Sequence, residues 1–281
     1  MSQRRISGLI AAALLLAASP LAAQERPRDG RMPLVPHRAV YDLALTSSTG
    51  SRTVESAQGR IAFDFSGDAC DGYALKYRQV TQLQSGEAGE RTSDMASATF
   101  ESADGRELRF RIENRGDGTA STVDGDAERR QNGDLQVNLR QPERDKFVAN
   151  GPVIFPTAHI QTLIDAAKAG QTSLSVRVFD GSDDGRKVYD TLAVIGRRIE
   201  PGASAAVEEA ARHESLTRTA RWPVTLSYFS PGSGERTPVY VISFELYENG
   251  VSRALRLDYG EFALKGDLTA YEPTGTGECR K

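Results

Sequence analysis

The sequence predicts a mainly β protein, a large curled antiparallel sheet with one principal amphipathic helix around residues 157–169. Three observations predict this fold. Apolar and polar residues alternate with period two along several segments, Asx-Gly dipeptides separate these segments, and one stretch has clear helical spacing. The pattern indicates about a dozen strands, and so wide a twisted sheet is expected to curl rather than stay open and flat.

Four segments show the alternation most clearly. In each of them, apolar side chains occupy every second position and the residues between them are polar or small. This arrangement places the apolar side chains on one face of a strand and the others on the opposite face. The four apolar sets are Ile61, Phe63 and Phe65; Tyr73, Leu75 and Tyr77; Leu108, Phe110 and Ile112; and Leu135, Val137 and Leu139.

Turn-forming dipeptides recur at short intervals along the chain. Asn-Gly and Asp-Gly accept the positive φ of tight hairpins, so the strands that they separate are expected to pair as antiparallel neighbours. The dipeptides are Asp104-Gly105, Asp117-Gly118, Asp124-Gly125, Asn132-Gly133, Asp184-Gly185 and Asn249-Gly250.

Helical spacing appears after Phe155-Pro156. We predict Thr157 as the N-cap of this helix and Gly170 as the residue that follows its C-terminus. A second segment, 203–212, is rich in helix formers, but its apolar face is mostly alanine, so we interpret it as a loop insertion with partial helicity. The apolar stripe of the first helix consists of Ile160, Leu163, Ile164 and Ala167, at positions i, i+3, i+4 and i+7.

The N-terminus has the layout of a secretory signal peptide. Arg4 and Arg5 precede the apolar run at 9–18, and small residues end at Ala23, the predicted cleavage point. A membrane anchor is the alternative, but a spanning helix needs about 20 apolar residues. We therefore predict a signal peptide over 1–23, a flexible lead-in over 24–36 and a single β domain over 37–281, located in the periplasm and not membrane-spanning.

The charge balance argues against a nucleic-acid partner. The chain carries 35 Lys and Arg against 38 Asp and Glu, a formal net charge of −3. Dedicated nucleic-acid binders usually have a clear basic excess. Beyond this exclusion, the charge balance names no partner.

Two cysteines stand at opposite ends of the predicted domain. In an oxidising compartment, Cys70 and Cys279 are most simply one structural disulfide. A redox pair or two free thiols are the alternatives. The absence of a C-x-x-C motif favours the structural bond over the redox pair.

No motif predicts a catalytic, cofactor-binding or metal-binding residue. The stretch 180–185 resembles the opening of a calcium loop, but Thr191 stands at position 12, where a bidentate glutamate is required. We interpret this stretch as an acidic hairpin turn. His37, His159 and His213 lie in no recognisable triad context. We therefore predict that the protein is not an enzyme.

The C-terminal third contains the candidate binding residues. Trp222 and Tyr228 fall on the same face of one predicted strand, and Arg253 and Asp258 lie on a later strand. The plain interpretation is that they are core aromatics and solvated charges. The sharper interpretation is that these four residues border a groove or a partner surface.

Seven short motifs are spread along the chain from the first predicted strand to the last. They are Pro36-His37-Arg38-Ala39-Val40-Tyr41-Asp42-Leu43, Phe155-Pro156-Thr157-Ala158-His159, Phe179-Asp180-Gly181, Val188-Tyr189-Asp190, Trp222-Pro223-Val224, Tyr247-Glu248-Asn249-Gly250-Val251-Ser252-Arg253 and Asp258-Tyr259-Gly260. In these motifs the sequence resembles the envelope integrity protein B family of alphaproteobacteria. The resemblance covers residues 36–279 and implies a spiral-like, broken-barrel antiparallel fold, a disulfide between Cys70 and Cys279, and a role in keeping the cell envelope intact. It supplies no catalytic residues.

These observations predict a soluble periplasmic, non-enzymatic protein that supports envelope integrity by binding another envelope component, with a protein as the expected partner. The alternative is a carrier that holds a lipid or another apolar ligand inside the curled sheet, as lipocalin-like barrels do. An envelope hydrolase is a third hypothesis. It would require His159 or a pair of acidic residues to converge in a cleft.

Overall fold

Fourteen strands form one antiparallel sheet in the computed structural model, which describes residues 33–49, 54–86, 89–203, 207–232 and 237–279. The predicted signal peptide and most of the predicted lead-in lie outside these residues. The strands are β1 (His37–Ser48), β2 (Val54–Asp68), β3 (Gly72–Ser85), β4 (Gly89–Glu101), β5 (Glu107–Gly116), β6 (Thr119–Arg129), β7 (Leu135–Gln141), β8 (Asp145–Ala149), β9 (Ser173–Val178), β10 (Tyr189–Ile195), β11 (Arg221–Phe229), β12 (Tyr240–Tyr247), β13 (Ser252–Asp258) and β14 (Phe262–Pro273).

Two meanders meet in the middle of this sheet. The strand order is β8-β7-β6-β5-β4-β3-β2-β1-β14-β13-β12-β11-β10-β9, so β1 and β14 are its only hydrogen-bonded neighbours that are not consecutive in the chain. Their pairing runs from His37 opposite Pro273 to Ser48 opposite Phe262. At the two edges, β8 and β9 do not pair with each other, and one parallel bridge joins Ile154 to Val178. The predicted wide antiparallel sheet, not closed into a barrel, is confirmed.

The sheet has an inner face, which carries the core, and an outer face. Leu108, Phe110 and Ile112 on β5 are buried, and the residues between them are exposed. The same alternation holds along β7, where Leu135 and Val137 are fully buried. Period two in the sequence therefore predicted which side chains point inward.

The principal helix, α1 (Pro156–Lys168), packs against the inner face, where Leu163 belongs to the same core as residues of β11 to β14. The prediction that Thr157 is its N-cap is wrong. Phe155 occupies that position and makes no side-chain cap. Instead the Glu101 carboxylate at the end of β4 accepts the backbone N–H groups of Thr157 and Ala158 at 2.7 and 2.9 Å. Gly170 has a φ of 74° just after the helix, as predicted.

The connection between β10 and β11 also contributes to the core. It contains a 3-10 helix (Glu209–Arg212) and a short helix, α2 (Glu214–Thr217). Ala211 and Leu216 are 1% and 0% exposed within the core cluster. The segment predicted as a partly helical loop insertion thus places apolar side chains inside the curled sheet, and its residues 204–206 lie outside the described part of the chain.

One predicted turn is wrong. Asp124-Gly125 lies inside β6 and connects no strands. The pairing of β6 with β7 shifts register at this point, and a Cβ on Gly125 would come within 2.6 Å of the Phe110 ring and 2.8 Å of the Asn138 carbonyl oxygen. Glycine stands here because the backbone approaches its neighbours closely at a bulge.

A disulfide joins Cys70, in the turn between β2 and β3, to Cys279 in the tail after β14. The two Cα atoms are 5.4 Å apart. Beside this bond, the Ala69 N–H donates to the Gly277 carbonyl oxygen at 3.3 Å. The predicted pairing is confirmed, and it holds the C-terminal tail against the turn.

We expect Cys279→Ser to lower the free energy of unfolding substantially. The bond spans a sequence separation of 209 residues, and the chain-entropy model gives about 5 kcal/mol as an upper value for such a loop. Urea unfolding under non-reducing conditions measures the loss. The Cys70→Ser/Cys279→Ser variant is the control and should equal the single variant. A single variant as stable as the parent would contradict the prediction.

Candidate functional site

The four residues predicted to border a groove do not converge on one surface. Trp222 is 3% exposed and packs with Ile195 and Ala220 on the inner face. Tyr228 lies six positions further along the same strand, about 20 Å away, with its ring stacked on Tyr240 at 4.4 Å between centroids. Their side chains contribute to separate parts of the interior.

Arg253 and Asp258 lie at opposite ends of β13. Arg253 is 5% exposed and is therefore a buried cation. Asp258 is half-exposed and accepts the Gly260 backbone N–H at 2.9 Å, which stabilises the turn after the strand. The structure thus places Trp222, Tyr228, Arg253 and Asp258 in separate surroundings, and their part in binding stays a prediction.

Arg253 belongs to a buried network of four charged residues. Glu245 on β12 accepts hydrogen bonds through one oxygen, Oε2, from Arg221 Nε and from Arg253 Nη1, each at 2.5 Å. Glu208 Oε2 accepts from Arg253 Nε at 2.6 Å. Burial alone would lower the pKa of Arg253, but its hydrogen bonds to the two carboxylates outweigh burial and raise the pKa above its ordinary value.

Glu208 also bridges two strands where their pairing ends. β13 and β14 pair from Leu255 opposite Gly266 onward. Beyond this pair, Glu208 Oε1 accepts the backbone N–H groups of Ala254 and Leu268 at 3.1 and 3.4 Å. One carboxylate thus replaces the missing ladder partners and ties the β10–β11 connection to the sheet.

The sequence carried little signal for this network. Its members are far apart in the chain, and Glu208 lies in an Ala/Glu-rich segment where any acid looks solvated. One residue did point to a buried ion pair. Arg221 begins a strand of mostly apolar residues, and a charge at a buried strand position requires a partner.

The outer face of β9 to β12 is uncharged over a continuous area. Val194 lies opposite Ser173 and Thr225, and Leu192 opposite Ser175 and Ser227, with β12 next in register. Leu192 and Val194 are 38% and 54% exposed and lie two residues apart on the same face of β10. We call this surface the uncharged strip; it consists of Ser173, Ser175, Leu192, Val194, Thr225, Ser227, Val241 and Ser243.

The outer face at the other end of the sheet is different. Along β1 to β6 it carries cross-strand ion pairs between exposed side chains. These pairs include Arg60 with Asp42, Arg78 with Asp94, and Arg111 with Asp124. The uncharged strip therefore differs from the outer surface of β1 to β6. It reaches the edge strand β9 and is bordered there by the ion pair between Arg177 and Asp190.

Comparison with known proteins decides the family. The EipB-like family model matches residues 28–274. The chain belongs to the EipB-like family. Cell envelope integrity protein EipB of Brucella abortus is 34% identical over 247 residues, which cover 87% of this chain and 86% of that protein. A solved β-barrel-like protein of a domain of unknown function from Brucella abortus matches with a TM-score of 0.78 at 34% identity, over 86% of this chain and 99% of that one.

The acidic stretch of this EipB-like chain is a connection between paired strands, as predicted. β9 and β10 are antiparallel neighbours, and 180–185 lies between them. The Asp180 carboxylate accepts the Ser182 N–H at 2.9 Å, and burial raises the pKa of Asp180. The Asp183 carboxylate accepts a hydrogen bond from the Tyr189 hydroxyl at 2.6 Å. Both carboxylates therefore stabilise the connection itself.

Two of the three histidines, His37 and His159, are buried. His37 lies 5.3 Å from the Phe63 ring, with its Nδ1 2.7 Å from the Val35 carbonyl oxygen. His159 in α1 is 4% exposed, and burial lowers its pKa to about 4. Among the described residues, the one cluster with metal-ligand spacing is Asp68, Cys70 and Cys279, and its two sulfurs are bonded to each other.

We expect Glu208→Gln to lower the free energy of unfolding by about 3 kcal/mol, because it leaves two buried arginines, Arg221 and Arg253, to share the single carboxylate of Glu245. Chemical denaturation measures the effect. The neighbouring Glu209→Gln is the matched control, since the Glu209 side chain is 92% exposed in its pair with Arg212. Its effect should stay within about 0.5 kcal/mol. Equal effects for the two variants would refute the role of the network.

Acid should destabilise the protein through His159. Its pKa is about 4 when folded against about 6.5 when unfolded, so the unfolded chain takes up the proton first and stability is lost as pH falls through this range. At pH 5 the loss is about 2 kcal/mol. In urea unfolding at pH 7 and pH 5, His159→Gln should lose correspondingly less stability than the parent. The exposed His213→Gln should behave like the parent, and an unchanged pH dependence in His159→Gln would contradict the assignment.

Proposed function

We propose that this protein supports the integrity of the cell envelope as a soluble periplasmic, non-enzymatic protein that binds another envelope protein. Membership of the EipB-like family supports the envelope role, since a relative at 34% identity is named for it. The signal peptide expected over 1–23 supports the compartment. The surface described above supports binding as the way in which it acts.

The uncharged strip is the observation that carries this proposal. The centres of protein interfaces are depleted in charged residues, and exposed aliphatic side chains on a flat surface gain free energy when a partner covers them. Leu192 and Val194 provide such side chains, surrounded by serine and threonine hydroxyls that can pair with a partner's backbone. A protein surface fits this chemistry better than a charged head group does.

The interior packing supports a binding protein rather than a carrier. A ligand inside the curled sheet would compete with side chains already there. Leu163 of α1 and Leu216 of α2 are each 0% exposed in the core. Two separate chain segments thus fill the space that the carrier hypothesis assigns to a lipid.

Charges placed on the uncharged strip should abolish function without unfolding the protein. In a strain deleted for the gene, the parent should restore growth on detergent and cell-wall antibiotics. Leu192→Lys/Val194→Lys should restore it at least tenfold less well, because each lysine must be desolvated for a partner to dock.

Val148→Lys is the matched control for this experiment. Val148 on β8 is 43% exposed, so it is an aliphatic side chain as accessible as those of the strip but at the other edge of the sheet. This variant should restore growth fully, and all variants should unfold at similar urea concentrations. Full rescue by the double lysine variant, or a deletion strain with unchanged sensitivity, would overturn the proposal.

A further inference from the structure

The edge strand β9 has backbone groups that point away from the sheet. In an antiparallel ladder each residue directs its N–H and its C=O to the same side of the strand, and successive residues alternate. The Ile195 N–H donates to the Thr172 carbonyl oxygen at 2.9 Å, so the even-numbered residues from 172 to 178 face β10. Ser173 and Ser175 therefore face outward, and in the described part of the chain no loop forms a backbone hydrogen bond with them.

The chain itself closes the other half of this edge. The Ile154 N–H donates to the Arg177 carbonyl oxygen at 2.9 Å, and the Ile154 carbonyl oxygen accepts the Phe179 N–H at 3.1 Å. Ile154 thus occupies the position of an added strand beside the C-terminal end of β9. We call residues 173–176 the open half of β9.

The open half lacks the features that usually protect a sheet edge. Natural edge strands carry charged side chains or proline, which oppose pairing with another chain. On β8, the opposite edge, Asp145 and Lys146 are charged, and Arg186 pairs with Asp145. The open half contains neither a charge nor a proline, and Ser173 and Ser175 are exposed. This part of the edge is therefore available for pairing.

Leu192 and Val194 of the uncharged strip lie directly beside the open half. Ser175 is opposite Leu192, and Ser173 is opposite Val194. Because serine side chains are short, an apolar side chain on an added strand can reach across them to Leu192 and Val194. One extended segment can thus pair with the edge and cover the strip at the same time.

A second copy of β9 does not fit this edge. A two-fold pairing centred on Ser175 would place the second copy's strand beside Arg177, where Ile154 already lies. A pairing centred on Ser173 would require the N–H of Gln171, which donates to a carbonyl oxygen of α1 at 2.9 Å. The occupant of the open half is therefore a strand from another protein.

From this arrangement we propose that the envelope protein bound by this chain docks by adding one extended strand, antiparallel, to the open half of β9. This inference rests on the proposed function, because it names how the partner covers the uncharged strip. Ser173 and Ser175 each exchange both backbone hydrogen bonds with the added strand. They lie about 6.8 Å apart, which matches the repeat of an extended backbone. The residues opposite them are apolar and lie on the outer face.

NMR titration of the folded chain, with its disulfide intact and its serine amides labelled, tests this mode of docking. The probe is a seven-residue peptide of alternating valine and threonine with a lysine at each end. It should shift the amide signals of Ser173 and Ser175 more than those of serines remote from β9. N-methylation of its valines should weaken binding at least tenfold, because the valine amides face β9. N-methylation of its threonines, whose amides face away, should leave binding within twofold.

A proline variant of the chain tests the same hydrogen bonds from the other side. Ser175→Pro removes an N–H that β10 does not use, and an edge strand tolerates proline at such a position. This variant should bind the peptide at least tenfold more weakly than the parent. Val148→Pro is the matched control, because the Val148 N–H points outward in the same way on β8. It should bind within twofold of the parent, and both variants should unfold at urea concentrations similar to the parent.

Growth of the deletion strain separates a failure of this inference from a failure of the proposed function. Ser175→Pro should restore growth at least tenfold less well than the parent, and Val148→Pro should restore it fully. Full rescue by Ser175→Pro beside failed rescue by Leu192→Lys/Val194→Lys overturns strand addition and leaves the proposed function standing. Full rescue by both overturns the proposed function as well. Strand addition is also overturned if the peptide leaves the Ser173 and Ser175 signals unchanged, or if the N-methylvaline peptide binds as tightly as the unmodified one.

Discussion

The pairing of β1 with β14 is the interaction on which the rest of the structure depends. It joins two meanders that otherwise share no hydrogen-bonded strand pair in the sheet. Each meander alone would leave a long central strand with an unpaired edge, which is a site of unwanted association. Because β1 and β14 pair along nearly their whole length, the inner faces of β1 to β3 and of β10 to β14 contribute to one shared core cluster.

Segments outside the sheet also contribute side chains to that shared core. A curled sheet of this width encloses more space than its own side chains fill, and α1 and the β10–β11 connection supply the remainder. Glu101 and Glu208 hold these two segments in place by accepting backbone N–H groups. A buried ion pair adds little stability relative to a well-packed apolar pair, although removing one partner is costly, so the main effect of these carboxylates is to determine where each segment docks.

The sequence predicted the parts of the fold that local pattern determines. Period-two alternation assigned the faces of strands such as β5 and β7, and Gly170 marked the end of α1. The local sequence pattern gave wrong predictions where the local structure depends on a residue that is distant in the chain. Thr157 looked like a cap because the actual capping group, Glu101, lies 56 residues earlier. The same dipeptide chemistry that makes a hairpin also makes a bulge, so Asp124-Gly125 was misassigned.

The candidate surfaces were less predictable than the fold for the same reason. Arg253 looked like a groove residue, and its burial depends on Glu208, 45 residues away. The uncharged strip consists of residues that are adjacent only through strand register. Only Tyr228, of the predicted binding residues, lies in an aromatic cluster, with Tyr189 and Tyr240.

The central position of the two terminal strands has a consequence for the order of folding. Meander formation is local, so β1 to β8 can assemble early. Strand β1 pairs with β14, the last strand in the chain, and Cys70 pairs with Cys279, which lies further still along the chain. Contacts of such high sequence separation form slowly. Until β14 is in place the chain therefore carries an open β edge, which is the stage at which it most needs a chaperone.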